Sequence, residues 1–270
     1  MKFIKENHQA CALTIAGSDS GGNAGIQADI RAFHAFGIHA CTVIAALTAQ
    51  NQFGVRNVAA AAPGIVEDQL DAVLEEYDVG AIKTGMLANA PLIEAVAGSL
   101  RRHNYSGKIV VDPVMISTSG AKLLADDAMD AMRDLMLPLA SVATPNLPEA
   151  EALLGVKISS QNDMSAAARA IKEKFGCAAL VKGGHGIIRT EASDVLCDEN
   201  GSLSWFSLPA IADPLSTHGT GCALSAAMAA ALACGAELAE AVRLAKQFTH
   251  DSIRTSVRVG PRATVLGSLF

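Results

Sequence analysis

The residues best suited to chemistry stand together at Ser216-Thr217-His218-Gly219-Thr220-Gly221-Cys222. Gly219 and Gly221 let a backbone approach a ligand closely. Directly after them runs Ala223-Leu224-Ser225-Ala226-Ala227-Met228-Ala229-Ala230, apolar nearly all round, which predicts a buried helix. The first-turn N–H groups of such a helix have no acceptor within it, and with the helix dipole they favour negative charge. That arrangement suits charge spreading over a phosphoryl group in transfer. Cys222 falls at the positive end, where a thiol pKa of about 8.5 when free is expected to be lowered. It would then help take the proton from a substrate hydroxyl. The plain alternative for Cys222 is a small buried filler.

Other candidates are spread along the chain. The segment Gly17-Ser18-Asp19-Ser20-Gly21-Gly22-Asn23-Ala24-Gly25 follows an apolar run and opens a helix-length stretch. Such a loop brings backbone N–H groups to a ligand. It lacks both the Gly-Lys-Ser/Thr ending of a Walker loop and the GxGxxG spacing, and a tight turn explains it equally well. Asp29 sits beside the stripe Ile26, Ile30, Phe33 rather than opposite it. An inward carboxylate needs a partner, either a ligand group or the positive end of its own helix. Asp112 and Glu149 each follow an apolar run, and two carboxylates at one sheet edge suit Mg²⁺. Asn146 also suits a helix cap ahead of Pro148, and Glu149 a first-turn acid. Lys182 ends an apolar run before Gly183-Gly184, where it suits an anion or a surface position.

The elements that must position these groups follow from the hydrophobic pattern. Apolar runs at 11–16, 40–47, 79–83, 108–112, 140–143, 178–182, 194–198 and 203–207 predict strands. Helix-length segments lie at 24–36, 64–77, 90–103, 122–136, 148–155, 163–175, 220–234 and 237–256. The alternation predicts an α/β fold with a mainly parallel central sheet and helices on both faces. Glu199-Asn200-Gly201-Ser202 reads as a hairpin turn, which makes that edge antiparallel. No linker or repeat interrupts the pattern, so residues 1–270 read as one domain. Ligands of open parallel sheets bind at the carboxyl ends of the strands. Five polar or glycine-rich segments are expected there: 17–25, 83–86, 112–113, 145–149 and 182–185.

Composition excludes other classes. Half of the 270 residues are hydrophobic and 18% are charged, enough for a sizeable core and against wholesale disorder. The net charge of −6, with no basic run beyond Arg101-Arg102, makes nucleic acid and anionic membrane poor partners. The six cysteines form no CxxC pair, and residues 1–8 lack the apolar core of a signal peptide. The expectation is a reduced, cytoplasmic protein with free thiols. His34, His39, His103 and His250 show no metal-ligand spacing.

Several stretches occur in one order over about residues 11–235: Ala12 to Asp19, Ala24 to Asp29, Ala46 to Asn51, Lys83 to Leu87, Val110 to Met115, Thr144 to Ala150, Val181 to His185, and Ser216 to Cys222. In these the chain resembles the hydroxymethylpyrimidine/phosphomethylpyrimidine kinases of thiamine biosynthesis, within the ribokinase-like superfamily. The resemblance implies a ribokinase-like three-layer sandwich, ATP and Mg²⁺ as cofactors, and a homodimer. It places Gly17, Asp29, Gln50 and Met86 on the aminopyrimidine, and Asn146, Lys182 and Thr217 on the nucleotide phosphates. It assigns Asp112 and Glu149 to Mg²⁺, and Gly219, Thr220 and Gly221 to the anion hole beside Cys222. Most ribokinase-like enzymes carry Asp where Cys222 stands. The implied reaction phosphorylates 4-amino-5-hydroxymethyl-2-methylpyrimidine and then its monophosphate. A pyridoxal kinase and a non-catalytic pyrimidine sensor are the alternatives. Ser20, Asn23, the stretch 116–119 and the tail depart from the family pattern.

Overall fold

The computed structural model describes residues 9–115, 126–184, 187 and 190–267. The expectations for residues 1–8, for 116–119, for the start of the 122–136 helix and for His185 lie outside these residues.

A nine-stranded sheet forms the middle layer, in the order β3-β2-β1-β4-β5-β6-β7-β8-β9. Its strands are β1 (Cys11–Asp19), β2 (His39–Asn51), β3 (Gly54–Ala60), β4 (Val79–Thr84), β5 (Lys108–Val111), β6 (Val142–Ala143), β7 (Ala178–Lys182), β8 (Glu191–Cys197) and β9 (Leu203–Pro209). The six from β2 to β7 in that order run parallel. The pairs β7–β8, β8–β9 and β2–β3 are antiparallel. Both edges are therefore antiparallel, where the sequence pattern indicated one. The turn at 199–202 closes the β8–β9 hairpin as expected, with Gly201 at φ 82°.

The helices are α1 (Gly25–Ala35), α2 (Pro63–Leu74), α3 (Ala90–Arg102), α4 (Asp126–Ala131), α5 (Leu147–Leu154), α6 (Gln161–Phe175), α7 (Thr220–Ala233) and α8 (Leu238–Arg254). After α4 the chain widens into a π-turn, Met132–Met136, and then tightens at Leu137–Leu139, so the long helix expected there ends as irregular turns. Local chemistry sets several boundaries. Asn89 caps α3 and Ser160 caps α6, while Gly155 and Gly176 close α5 and α6 in the left-handed region.

Period-two alternation divides the strands between two cores. Cys11, Leu13 and Ile15 of β1, Ile109 and Val111 of β5, and Ala179 and Val181 of β7 pack with α2 to α6. Ala12, Ala81, Val110, Val142, Leu180 and Leu196 face the other way, onto α1, α7 and α8. Continuing the alternation to the strand ends puts Thr14, Lys83, Asp112, Thr144, Lys182 and Asp194 on that second face. These polar groups thus lie on the face covered by α1, α7 and α8.

Helix α7 carries small residues, and Ala223 through Leu232 are buried. It can therefore lie close on the sheet. Among the described residues no helix is long and apolar enough to cross a membrane. Replacing Ala227, which has no exposed surface, by Leu adds volume where there is none. Ala227→Leu is expected to lower the unfolding free energy by about 1–3 kcal/mol in urea melts; an unchanged midpoint would mean that α7 is loosely seated.

Candidate active site

A cavity of about 570 Å³ opens at the carboxyl edge, over the strand ends and the start of α7. Ten of the thirteen residues singled out in the sequence line it: Gln50, Asp112, Asn146, Glu149, Lys182, Thr217, Gly219, Thr220, Gly221 and Cys222. Gly17, Asp29 and Met86 do not. Gly17 and Met86 are packed against each other, and a Cβ on Gly17 would stand 2.6 Å from the Met86 methyl. Asp29 has no exposed surface at all.

Strand pairing builds the nucleotide-side cluster. A bridge between Asn146 and Lys182 extends β6–β7 past its last regular pair. Lys182 Nζ lies 3.0 Å from Asp112 Oδ1, which also accepts from Thr144 Oγ1 at 3.3 Å. The Ser225 hydroxyl of α7 lies 3.2 Å from Asp112 Oδ2. Burial opposes the charge on Lys182, but Asp112 and Glu149 hold its pKa above the ordinary lysine value. Burial, with the like charge of Asp112, pushes Glu149 up despite Lys182 and two backbone N–H groups. Glu149 also forms a capping box with Asn146: Glu149 N donates to Asn146 Oδ1 at 2.9 Å, and Asn146 N to Glu149 Oε2 at 2.8 Å. The helix-start roles of these two residues and their place on the cavity therefore coexist.

The start of α7 closes the cavity. Gly219 is its N-cap at φ 87°, and a Cβ there would fall 1.8 Å from the Asn23 carbonyl oxygen. Glycine is required both for the left-handed turn and for the contact with the first loop. A Cβ on Gly221 would sit 3.5 Å from Lys182 Nζ and 3.7 Å from Asp112 Oδ2. The first turn of α7 thus stands beside the Lys182–Asp112 pair. Cys222 is half-buried on the same wall. Its pKa is raised, not lowered as the helix position suggested. Burial outweighs the help it receives from the Lys83 ammonium and the Gly25 N–H, and Asp29 and Asp112 add to the rise.

The partner of Asp29 is Lys83. Its Nζ lies 3.1 and 2.9 Å from the two carboxylate oxygens, and Thr14 Oγ1 donates to Oδ2 at 2.6 Å. Neither side chain of the ion pair is exposed. Asp29 and Lys83 are 54 positions apart, so nothing local in the sequence joins them.

The first loop is organised by Asp19. Its carboxylate accepts from Gly21 N at 2.8 Å, Asn23 N at 3.0 Å and Ala24 N at 2.8 Å. His218 Nε2 stands 3.7 Å from the same carboxylate and 3.4 Å from Gln50 Nε2. Burial raises the Asp19 pKa, but the His218 ring and the three N–H groups outweigh it and hold the carboxyl below its ordinary value. On the outer wall, Lys246 of α8 meets Asp194 of β8 at 2.6 Å, and Asp194 accepts from Gly183 N at 3.0 Å. Sequence reasoning placed Lys83 in an edge segment without giving it a partner, missed Asp194 and Lys246, and set His250 aside, yet His250 lines the cavity. A lysine placed by alternation on a buried strand face was the available signal for Lys83.

Residues 19–266 match the family described as phosphomethylpyrimidine kinase. The chain belongs to the phosphomethylpyrimidine kinase family. It is 46% identical over 252 residues to the hydroxymethylpyrimidine/phosphomethylpyrimidine kinase of Rhizobium meliloti (strain 1021), covering 93% of this chain and 92% of that protein. Among solved structures it is similar to Bacillus subtilis pyridoxal kinase in an ADP complex, with TM-score 0.87, 33% identity and coverage of 97% and 98% of the two chains. It is also similar to phosphomethylpyrimidine kinase from Clostridium difficile 630, with TM-score 0.79, 38% identity and coverage of 91% and 100%. The phosphomethylpyrimidine kinase family and these relatives make the chain a small-molecule kinase with the ribokinase-like fold.

The depressed Asp19 pKa has a consequence for stability. The stabilisation is fully present above the unfolded value, about 3.9 for a free aspartate, and fades as the pH falls through the folded value. Asp19→Asn is expected to cost about 1–3 kcal/mol at neutral pH, with wild-type and variant melting curves converging below about pH 4. A gap of constant size down to about pH 3 would contradict this.

Proposed function

We infer that this chain uses ATP to phosphorylate the hydroxymethyl group of 4-amino-5-hydroxymethyl-2-methylpyrimidine, and then converts the monophosphate to the diphosphate, in thiamine biosynthesis or salvage. The observation that carries the reading is that the Gly219–Cys222 helix start and the Lys182–Asp112 pair share one cavity. On this reading the first turn of α7 would offer N–H groups, and Lys182 an ammonium, to an anion bound in that cavity.

On this reading Gly219, Thr220 and Gly221 form the anion hole, and Asn146, Lys182 and Thr217 meet the nucleotide phosphates. Gln50 faces the pyrimidine, with Gly17, Asp29 and Met86 packed behind that end. In transfer, the acceptor oxygen bonds to the γ-phosphorus as the bond to the bridging oxygen breaks, and the acceptor proton departs. The N–H groups and Lys182 stabilise the charge on the moving group. Cys222, on the same cavity wall, is the group we assign to receive the departing proton in its thiolate form. Burial keeps the thiol form dominant at neutral pH, and its thiolate fraction grows as the pH rises.

Asp112 and Glu149 would hold Mg²⁺. Both are oxygen donors on the cavity wall, which supports that reading. Mg²⁺ commonly takes one or two carboxylates and completes its shell with water and phosphate oxygens. When bound, it neutralises charge on the nucleotide phosphates. We also read residues 1–270 as one kinase domain, and the protein as a cytoplasmic homodimer. The exposed Leu47 and Val58 on the β2–β3 ribbon are apolar surface that a second copy would cover.

The second reading is a pyridoxal kinase, supported by the structural overlap with that enzyme described above. A coupled assay with both acceptors side by side decides between them: faster turnover of the pyrimidine supports the first, faster turnover of pyridoxal the second. Cys222→Ala is expected to lower kcat by about 10²–10⁴-fold and leave ATP affinity within about threefold. It should also abolish the rise of kcat with pH above neutrality. Unchanged turnover, or a rise that persists without the thiol, removes Cys222 from the proton path.

A further inference from the structure

Ser20 has no part in the mechanism above, although it departs from the family pattern. The residue is exposed, yet its hydroxyl both donates to and accepts from one other residue. Ser20 Oγ donates to the Gln50 carbonyl at 2.8 Å, and Gln50 N donates to Ser20 Oγ at 2.9 Å. Gln50 sits where the ribbon's own pairing is irregular. The β2–β3 ladder slips register between Ala49 and Gln50, so that Ala49 faces Asn57 while Gln50 faces Val55. Such a bulge re-aims a side chain and disrupts the ladder locally. The first loop is fitted to this spot: a Cβ on Gly21 would stand 3.1 Å from Gln50 O and 3.2 Å from Asn51 Cα. The Gln50 side chain lines the cavity, and Thr48 Oγ1 donates to its Oε1 at 3.2 Å.

The same turn is also held by the end of the chain. After α8, the strands β10 (Val257–Arg258) and β11 (Thr264–Val265) form a small antiparallel hairpin outside the main sheet. Gln52 commits both ends of its amide to it. Its Nε2 donates to the Arg262 carbonyl, and its Oε1 accepts from Thr264 N at 2.9 Å and Thr264 Oγ1 at 3.1 Å. The Arg262 guanidinium carbon lies 4.8 Å from the centre of the Phe53 ring, within cation–π range. The hairpin is itself tied down, because Gly267 N donates to Ser252 O of α8 at 2.9 Å and Leu266 is buried. We propose that Ser20 and Gln52 are positioning residues for the acceptor end of the cavity: they clamp the β2–β3 turn between the first loop and the C-terminal hairpin, which fixes the Gln50 side chain on the wall. The proposal rests on the reading of Gln50 as the group that faces the pyrimidine. Contacts that serve only surface stability would not single out one of the two substrates.

The test compares the wild type with Ser20→Ala, Gln52→Ala and Ser20→Thr, the last of which keeps the hydroxyl. Each alanine variant is expected to raise the KM for the pyrimidine about three- to tenfold, the scale of one lost hydrogen bond. Its kcat and its KM for ATP should stay within about twofold of the wild type. Ser20→Thr should match the wild type within about twofold in all three. Hydrogen–deuterium exchange without substrate reads the clamp itself. Peptides covering residues 47–58 should exchange faster in both alanine variants, and those covering 260–267 faster in Gln52→Ala. An unchanged pyrimidine KM in both alanine variants overturns the proposal. So does a loss spread equally over both substrates, or a Ser20→Thr variant as impaired as Ser20→Ala. Should either alanine variant fail to fold, the other carries the same comparison. A wild type that phosphorylates no pyrimidine would defeat the proposed function. The exchange measurement would still decide the clamp, faster exchange supporting it and unchanged exchange overturning it.

Discussion

Four charged side chains, Asp29, Lys83, Asp112 and Lys182, lie largely out of water on one face of the sheet. Left unpaired, each would cost several kcal/mol. Folding therefore has to bring each lysine to its carboxylate, and the pairs Lys83–Asp29 and Lys182–Asp112 result. Three of the four residues arrive by strand alternation at the carboxyl ends of β4, β5 and β7. Only Asp29 comes from a helix. Once the pairs are made, the floor beneath α7 carries fixed charge with little freedom to reorganise, which is what electrostatic catalysis requires.

The alanines of α7 follow from the same constraint. A helix with larger side chains would ride higher and separate its first-turn N–H groups from Lys182 and Asp112. Small residues bring the helix close, and Ser225 reaches Asp112 directly. The first loop is bound into the arrangement from above. Asp19 gathers three N–H groups, and Gly219 packs against the carbonyl of Asn23. The position of the first-turn α7 amides is thus set from the sheet and from the loop together.

Much of this was legible from local pattern. Runs of Val, Ile and Ala gave the core strands, and Asn146 with Glu149 gave a helix start. Gly219 and Gly221, marked by their spacing, line the cavity. What escaped has physical reasons. Strand β3 is almost wholly exposed and its sequence, Gly-Val-Arg-Asn-Val-Ala-Ala, has little alternation, so hydrophobicity does not mark it. The Lys83–Asp29 and Lys246–Asp194 pairs join residues more than fifty positions apart. Such pairing depends on topology rather than neighbourhood. The direction of the Cys222 shift was misjudged because the helix dipole is a local feature, whereas the burial that overrides it comes from the elements packed around the thiol.

The central claim is that a transferring phosphoryl group occupies the space between the α7 amides and the Lys182–Asp112 pair. Gly221 tests it most directly. A methyl group there meets only ordinary contacts, at 3.5 and 3.7 Å, and alanine favours a helix over glycine by about 1 kcal/mol. Gly221→Ala should melt at or slightly above the wild-type temperature and yet lose at least about a hundredfold in kcat, the scale of a disabled oxyanion-type site. A stable variant with wild-type turnover would show that the phosphoryl group passes elsewhere.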